Sequence, residues 1–468
     1  MTKRTRLIIL FACIASFLII TPNLVLYSMG YRLDLKTMKI TATGGIYVRT
    51  FPTAERITID STSPLRPGLF SNSIFVQNLI PAGHSVLVQK SGYFDYEKTI
   101  SVQENQVTKL ENILLIKRNI VFQEIIEDVD YFSVASDKQN TLTATEESKN
   151  IFFNYFPLSS SDQPQTFFIM RSGLISDVKW SNDSLFALIK IKSASAIYYY
   201  LFDTTIQPQA SPSQAQQQSL TVKPLSFLDK NVQQVYFNPR NSKEIFYIKN
   251  NILYSTADDK TIPIITGTAG YNFSEENIVW LSLEGLLYES DLSGKTVSPL
   301  TKKGVSIKSG QSLEISVISN EIFVHTDNSL LLLNSDTKTF ENLPLPAGSY
   351  DILLSPDQEN LAFRNGKEIY LYSFKDDVYE NIFSGDSLTS YQWLNDDYII
   401  FTAGDKIIIS EIDYRGNINT ITLPQIITLQ PDKEIGVLKP KTFFNQRDGK
   451  VYFLTNKTLI SSEKILPQ

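Results

Sequence analysis

The feature that most constrains this 468-residue chain is a unit that recurs through its last three quarters. Each copy sets an apolar or aromatic residue before a short Asn/Asp/Ser/Pro/Gly turn, with a second apolar strand after it. The clearest copies are VKWSNDSLFALI at 178–189, VYFNPRNSKEIFYI at 235–248, ILLSPDQENLAF at 352–363, YQWLNDDYIIF at 391–401 and TFFNQRDGKVYFL at 442–454. Weaker copies are FSVASDKQNTLTA at 132–144, NIVWLSLEGLLY at 277–288 and EISVISNEIFV at 314–324. Aligned on Ala135, Trp180, Phe237, Trp280, Val317, Leu354, Trp393 and Phe444, they are spaced by 45, 57, 43, 37, 37, 39 and 51 residues. Repeats of this length built only from strands are propeller blades rather than helical solenoid units. The count is eight, or seven if the first and last share a blade to close a ring. The 57-residue spacing has a local cause, because Ile206–Thr221 holds PQASPSQAQQQS, a Pro/Ser/Gln-rich surface loop.

Composition agrees with a mainly β chain. Phe (28) and Tyr (23) favour strands, and no long helical period follows residue 30. The one helical stretch is N-terminal. Lys3, Arg4 and Arg6 precede a mostly apolar run from Leu7 to Met29. At 1.5 Å per residue that run reaches roughly 35 Å, enough to cross a bilayer. The positive-inside rule then leaves the basic end in the cytoplasm and the body outside. A cleaved signal peptide, with its apolar core at Leu7–Ile20 and small residues at Ser28 and Gly30, is the competing reading. The apolar character continuing through Leu24–Tyr27 favours the uncleaved anchor. Cys13, the sole cysteine, falls inside this run, so no intramolecular disulfide can form. Beyond the basic cluster the chain carries 40 basic and 49 acidic residues, net −9, which opposes binding to a nucleic acid backbone.

Between anchor and repeats lie a short juxtamembrane connector, 30–43, and a stretch of alternating strands, 44–116. Ile46/Val48, Ile57/Ile59, Ile74/Val76, Val86/Val88 and Ile100/Val102 keep a period of two. Turns fall at Phe51-Pro52, Pro81-Ala82-Gly83 and Ser91-Gly92, and the last strand ends Leu114-Leu115-Ile116. Six or seven short strands in seventy residues make a small β-sandwich. Ala82-Gly83-His84, Lys90-Ser91-Gly92-Tyr93 and the closing strand resemble the PEGA domain, a β-sandwich module of bacterial envelope proteins. Pro52-Thr53-Ala54-Glu55 departs from it, with Ala54 and Glu55 where the family has Gly and Ala. Region 117–468 in turn resembles the β-propellers of the WD40 and TolB-like type, through Ser355-Pro356-Asp357 and Trp180-Ser181-Asn182-Asp183 at the turn between inner strands. Both resemblances speak to fold more than to function.

Catalytic chemistry finds little footing. The two histidines, His84 and His325, belong to different predicted domains, and neither has a second histidine at metal-ligand spacing. The acid pairs Asp258-Asp259, Asp376-Asp377 and Asp396-Asp397 each fall in a predicted inter-strand turn, where Asp bonds nearby backbone N–H groups. The aromatic runs Tyr198-Tyr199-Tyr200 and Ile151-Phe152-Phe153 suit packing between blades. There is no nucleophile elbow, phosphate-binding glycine loop, HExxH or CxxC.

The expected protein is therefore mainly β. An N-terminal transmembrane helix (1–29) and connector lead to a PEGA-like β-sandwich (44–116) and a seven- or eight-bladed β-propeller (117–468). The expected function is non-enzymatic: a membrane-anchored, extracytoplasmic scaffold that presents the propeller to an envelope protein or polysaccharide, with no cofactor, no metal and no nucleic acid. The alternative is a carbohydrate-active enzyme with its site in the propeller channel, which requires carboxylates from different blades to converge within about 5–10 Å at one mouth of the ring.

Overall fold

The computed structural model describes residues 3–34, 39–68, 71–147, 150–158, 164–171, 173–193, 196–205, 222–307, 313–318, 321–326, 329–343, 351–365, 367–385, 387–426 and 442–466. The surface loop expected at 206–221 lies outside them.

Helix α1 (Lys3–Ser28) is the one α-helix among the described residues. It carries Pro22 inside it, and two of its polar side chains bond internally: Asn23 donates to the Ile19 carbonyl and Ser28 to that of Val25. None of its length is buried against the rest of the protein. Its length and composition suit a membrane span, and a signal sequence shares both traits.

The connector holds two strands that the sequence reading did not mark. Strands β1 (Tyr31–Asp34) and β2 (Lys39–Ala42) pair as an antiparallel hairpin directly after the helix. Next come β3 (Gly44–Phe51), β4 (Arg56–Ile59), β5 (Ser73–Leu79), β6 (Gly83–Gln89), β7 (Tyr96–Ser101) and β8 (Val107–Leu114). They form two three-stranded sheets, β5–β3–β8 and β4–β6–β7. The alternating residues read from the sequence, including Ile46, Val48, Ile57, Ile59, Val86, Val88, Ile100 and Val102, make one shared core. The β3–β8 pair is parallel, a long-range pairing that strand patterning cannot reveal.

Eight four-stranded antiparallel sheets make up the rest. Seven are built from consecutive strands, at 131–169, 174–224, 232–266, 268–299, 314–342, 351–384 and 388–426. The eighth takes three strands from 442–462 and its outermost strand, β9 (Phe122–Ile126), from ahead of the first sheet. Neighbouring sheets share apolar clusters in succession, and Phe132 and Phe156 of the first pack with Tyr452 and Leu459 of the eighth. The eighth sheet is thus completed by a borrowed strand, and the first and last units stand in separate sheets.

The strands differ by depth for a physical reason. The second strand of most sheets is covered on both faces by neighbouring sheets and reads as a mostly apolar run. Phe186–Lys192, Tyr398–Ala403 and Lys450–Thr455 are examples. In the first sheet the same position is filled by NTLTATEE, with Thr141 and Thr143 buried. Outermost strands are exposed, and several carry proline (Pro224, Pro263, Pro299), each directly opposite a tyrosine of the third strand. Proline lacks the N–H that an unpaired edge would offer to another chain.

Seven of the eight aligned positions lie within one residue of the C-terminal end of an innermost strand. Trp280 is the exception: it sits on the second strand of the fourth sheet, whose first strand is Thr268–Ser274. A hairpin inside a blade has the same apolar–turn–apolar pattern as the one that begins it, so the sequence placed this unit one strand late.

Candidate functional site

Strand β7 alternates strictly, with Tyr96, Lys98 and Ile100 on its buried side. Tyr96 and Ile100 belong to the sandwich core, and Lys98 in the same phase is 0% exposed. Its ammonium leaves the sandwich for the seventh sheet. Nζ donates to Glu411 Oε1 (2.6 Å) and to the carbonyls of Asp413 (2.7 Å) and Asn417 (2.9 Å). Glu411 ends the third strand of that sheet, and 412–419 loops to the fourth. The Glu411 carboxylate also accepts from the Tyr96 hydroxyl (2.9 Å) and from the backbone and side-chain amides of Asn419 (both 2.9 Å). A desolvated charge pair persists only when its remaining lone pairs and protons are satisfied, and here they are. Burial, then the Glu411 charge, raises the Tyr96 phenol far above its usual range, so it stays a donor.

The same loop satisfies the free edge of β7. The Asn417 side chain accepts from Thr99 N (2.8 Å) and donates to the Glu97 carbonyl (2.7 Å), and Asn419 Oδ1 accepts from Glu97 N (3.3 Å). Two amide side chains thus stand in for a neighbouring strand. Gly416 (φ 76°) lets the loop approach this closely, since a Cβ there would overlap the Thr99 carbonyl oxygen. Arg415 donates to the Lys109 carbonyl, and Leu114 N donates to the Tyr398 hydroxyl.

Beside this junction lies a cleft of about 550 Å³ between β8 and the sixth and seventh sheets. Asp376 from the sixth sheet and Asp397 and Asp413 from the seventh line it. Burial pushes the Asp397 carboxyl up to about 6; an Asn112 hydrogen bond opposes the rise, and the charges of Asp396, Asp357 and Asp413 add to it. Burial also disfavours the Asp413 carboxylate, but its Arg415 bonds and the Lys98 ammonium prevail and hold it below the usual range.

A second cavity, about 490 Å³, opens where innermost strands of the fifth to eighth sheets converge. Arg364 forms an ion pair with Asp351 and also donates to the Thr389 carbonyl (2.6 Å). Glu314, Ser316, Gln392 and Thr442 complete the lining. Side-chain bonds cross between innermost strands here, as from Asn272 to the Ile315 carbonyl and from Phe444 N to Gln392 Oε1.

The residues singled out from sequence are dispersed. His84 contacts Asp60 through Nδ1 and the Ile80 carbonyl through Nε2, inside the sandwich. His325 meets Ser316 Oγ (3.0 Å), and burial lowers its pKa to about 4 against the opposing charge of Asp351. The acid pairs all lie in turns between strands, with Asp258 and Asp259 both at positive φ. Asp376 and Asp397 nonetheless reach the same cleft. Tyr199 and Tyr200 pack into the clusters on opposite sides of the second sheet. Among the described residues no group of His, Cys, Asp and Glu has the arrangement of a metal site. Sequence reasoning missed the Lys98–Glu411 junction. Its visible signal was a lysine in apolar phase between Tyr96 and Ile100; its partner, 313 residues away, had none.

No family model and no curated protein sequence matches the chain. Solved structures do match. Saccharomyces cerevisiae Sqt1 is 12% identical over 74% of this chain and 98% of that one, with a TM-score of 0.45. A chain of the Mitotic Checkpoint Complex is 12% identical over 74% and 92%, TM-score 0.39. Kluyveromyces lactis Hsv2p is 10% identical over 63% and 97%, TM-score 0.38. These neighbours are WD40-type β-propeller proteins. At such distances the propeller reading stands on the eight four-stranded sheets and the apolar clusters shared between neighbours.

Proposed function

We propose that this chain is a membrane-anchored binding scaffold. In this reading α1 spans the bilayer with Lys3, Arg4 and Arg6 in the cytoplasm. Outside, a PEGA-like sandwich holds an eight-bladed propeller toward an envelope protein or polysaccharide. The observation that carries the reading is the Lys98 junction. Burying a charge pair across two domains contributes little net stability compared with an apolar contact, but it fixes their relative orientation. Fixed orientation serves a protein whose working surface is made by both domains, and the cleft beside the junction is such a surface.

The test is crosslinking from the cleft of the full chain in its native membrane, with a photoreactive group at Lys375. A defined adduct that is lost in Lys98→Met, while the propeller stays folded, supports the scaffold. Crosslinking that is absent, or indifferent to the junction, counts against it. Protease added to intact cells checks the orientation: the body is digested if it lies outside, and protected until lysis if it does not.

One observation favours a carbohydrate-active enzyme as a second reading, sited in the cleft beside β8 on two carboxyls of the seventh sheet rather than in the channel between blades. Asp397 holds its proton to about pH 6 beside the ionised Asp413, the pairing of environments that sets a general acid against a carboxylate. Turnover of a glycan panel, abolished in Asp397→Asn, would move this reading to first place.

A further inference from the structure

The segment where the helix leaves its apolar run is built as a surface of its own. Tyr27, Met29 and Ile40 are 63%, 65% and 54% exposed, so an aromatic and two large aliphatic side chains face outward at one end of the helix. Arg32 stacks over the Tyr27 ring, 3.5 Å from its centroid, and its Nη1 donates to the carbonyls of Tyr27 (3.0 Å) and Tyr31 (2.8 Å). A cation thus sits on the carbonyl end of the helix, where the macrodipole favours it. In sequence, 27–43 carries Arg32, Lys36 and Lys39 against Asp34 alone, a local excess of positive charge in a body that is otherwise acidic.

The segment is also tied to the sandwich. Gly30, at φ 87°, turns the chain out of the helix, and its carbonyl accepts from both Thr43 N (2.9 Å) and Thr43 Oγ1 (2.6 Å). The Thr43 carbonyl accepts from Asn105 N (3.1 Å), and Gly45 N donates to the Gln106 carbonyl (2.9 Å). Helix exit, hairpin and the β7–β8 loop of the sandwich are therefore joined by a continuous path of hydrogen bonds, with no flexible tether between them.

We propose that the helix exit and the β1–β2 hairpin form a collar that seats in the headgroup layer of a phospholipid bilayer, with Tyr27, Met29 and Ile40 in the interfacial zone and Arg32 and Lys39 toward lipid phosphates. The occupant is lipid because the patch is continuous with a helix that is apolar and uncovered along its length, because aromatic side chains populate both membrane boundaries, and because Arg and Lys near a helix end extend to the headgroup level. The consequence is that the sandwich, and through the Lys98 junction the propeller, stands at a set angle on the membrane. This inference rests on the anchor reading above.

The test uses the full chain with Cys13→Ser, which removes the only native thiol, and one new cysteine at a time: Ile40→Cys, Met29→Cys or, as a control on the exposed outer strand of the first sheet, Phe168→Cys. Each is labelled with an environment-sensitive fluorophore and reconstituted into vesicles of phosphatidylcholine with phosphatidylglycerol. The expected result is flotation with the vesicles, blue-shifted emission at 29 and 40 that headgroup-level nitroxide lipids quench, and water-like, unquenched emission at 168. Flotation with water-like emission at 40 overturns the collar while leaving the anchor standing. Failure to float overturns the anchor and the collar together. Arg32→Glu serves as a second variant: it keeps the apolar helix and should lessen quenching at 40 in vesicles containing phosphatidylglycerol, and unchanged quenching would remove the phosphate-facing role of Arg32.

Discussion

Replacing Lys98 with methionine keeps a stem of similar length in the sandwich core and removes only the ammonium. The groups left behind set the magnitude. The Glu411 side chain is 4% exposed and loses its counter-charge, while the Asp413 and Asn417 carbonyls lose their donor. Glu411 retains the Tyr96 hydroxyl and both Asn419 amides, so it is under-satisfied rather than bare. Stranding one member of a buried pair costs about 3–5 kcal/mol, and the surviving hydrogen bonds place Lys98→Met toward the lower end. Glu411→Gln alone strands the ammonium in turn. The double variant, with neither charge, should recover part of both losses, giving a coupling of about 1.5–3 kcal/mol in the cycle. Urea unfolding followed by far-UV circular dichroism measures the cycle. Label-to-label distances between the sandwich and the propeller, read by pulsed electron resonance in the Cys13→Ser background, measure the orientation. The reasoning fails if Lys98→Met costs less than about 1 kcal/mol with an unchanged distance distribution, or if the double variant is simply additive.

Three other outcomes are expected from the same geometry. Gly416→Ala should loosen the junction by about 2 kcal/mol or more, because it adds a Cβ at φ 76° against the Thr99 carbonyl; Gly404→Ala, also at positive φ but in open space, should lose only the backbone strain, and thermal unfolding compares the two. His325 is held neutral in the fold down to about pH 4, whereas the unfolded chain takes up a proton near its ordinary 6.5, so acid favours unfolding between those values. Stability should fall by up to about 3 kcal/mol across that window, a slope that His325→Gln removes in pH-resolved denaturation. Asp397 has the opposite sign: the fold holds its proton more tightly than the unfolded chain, so stability drops as pH rises from the ordinary 3.8 to about 6. Asp397→Asn should therefore stabilise by about 1 kcal/mol at pH 7.5, after allowance for solvent screening, and the gain should vanish near pH 4.

The eight-fold repetition was legible because a blade's second strand is buried on both faces and its first turn needs Ser, Asn or Asp. Ser181 with Asp183 and Ser355 with Asp357 make the same side-chain bonds, and each serine hydroxyl accepts the backbone N–H that opens the next strand. That demand is local, so it leaves a local trace, as does the period of two in the sandwich. Trp280 shows its limit: a local pattern marks a hairpin without saying which hairpin of the blade it is. The candidate site was mostly illegible. The turn positions of Asp376 and Asp397 could be read, but not that both face one cleft.

What the sequence determined by itself was the kind of elements: an apolar helix, a sandwich of six or seven short strands and seven or eight blade-like units, because most of their hairpins join residues close in the chain. Tertiary structure alone decided how they join. Strand β9 completes a sheet begun more than 300 residues later, β3 runs parallel to β8, and Lys98 finds Glu411 across 313 residues. Such pairings depend on where the chain goes between the partners, and a period, a turn or a charge along the sequence carries no record of that path. The buried lysine is the partial exception, because a charge in apolar phase signals that a partner exists without saying where it lies.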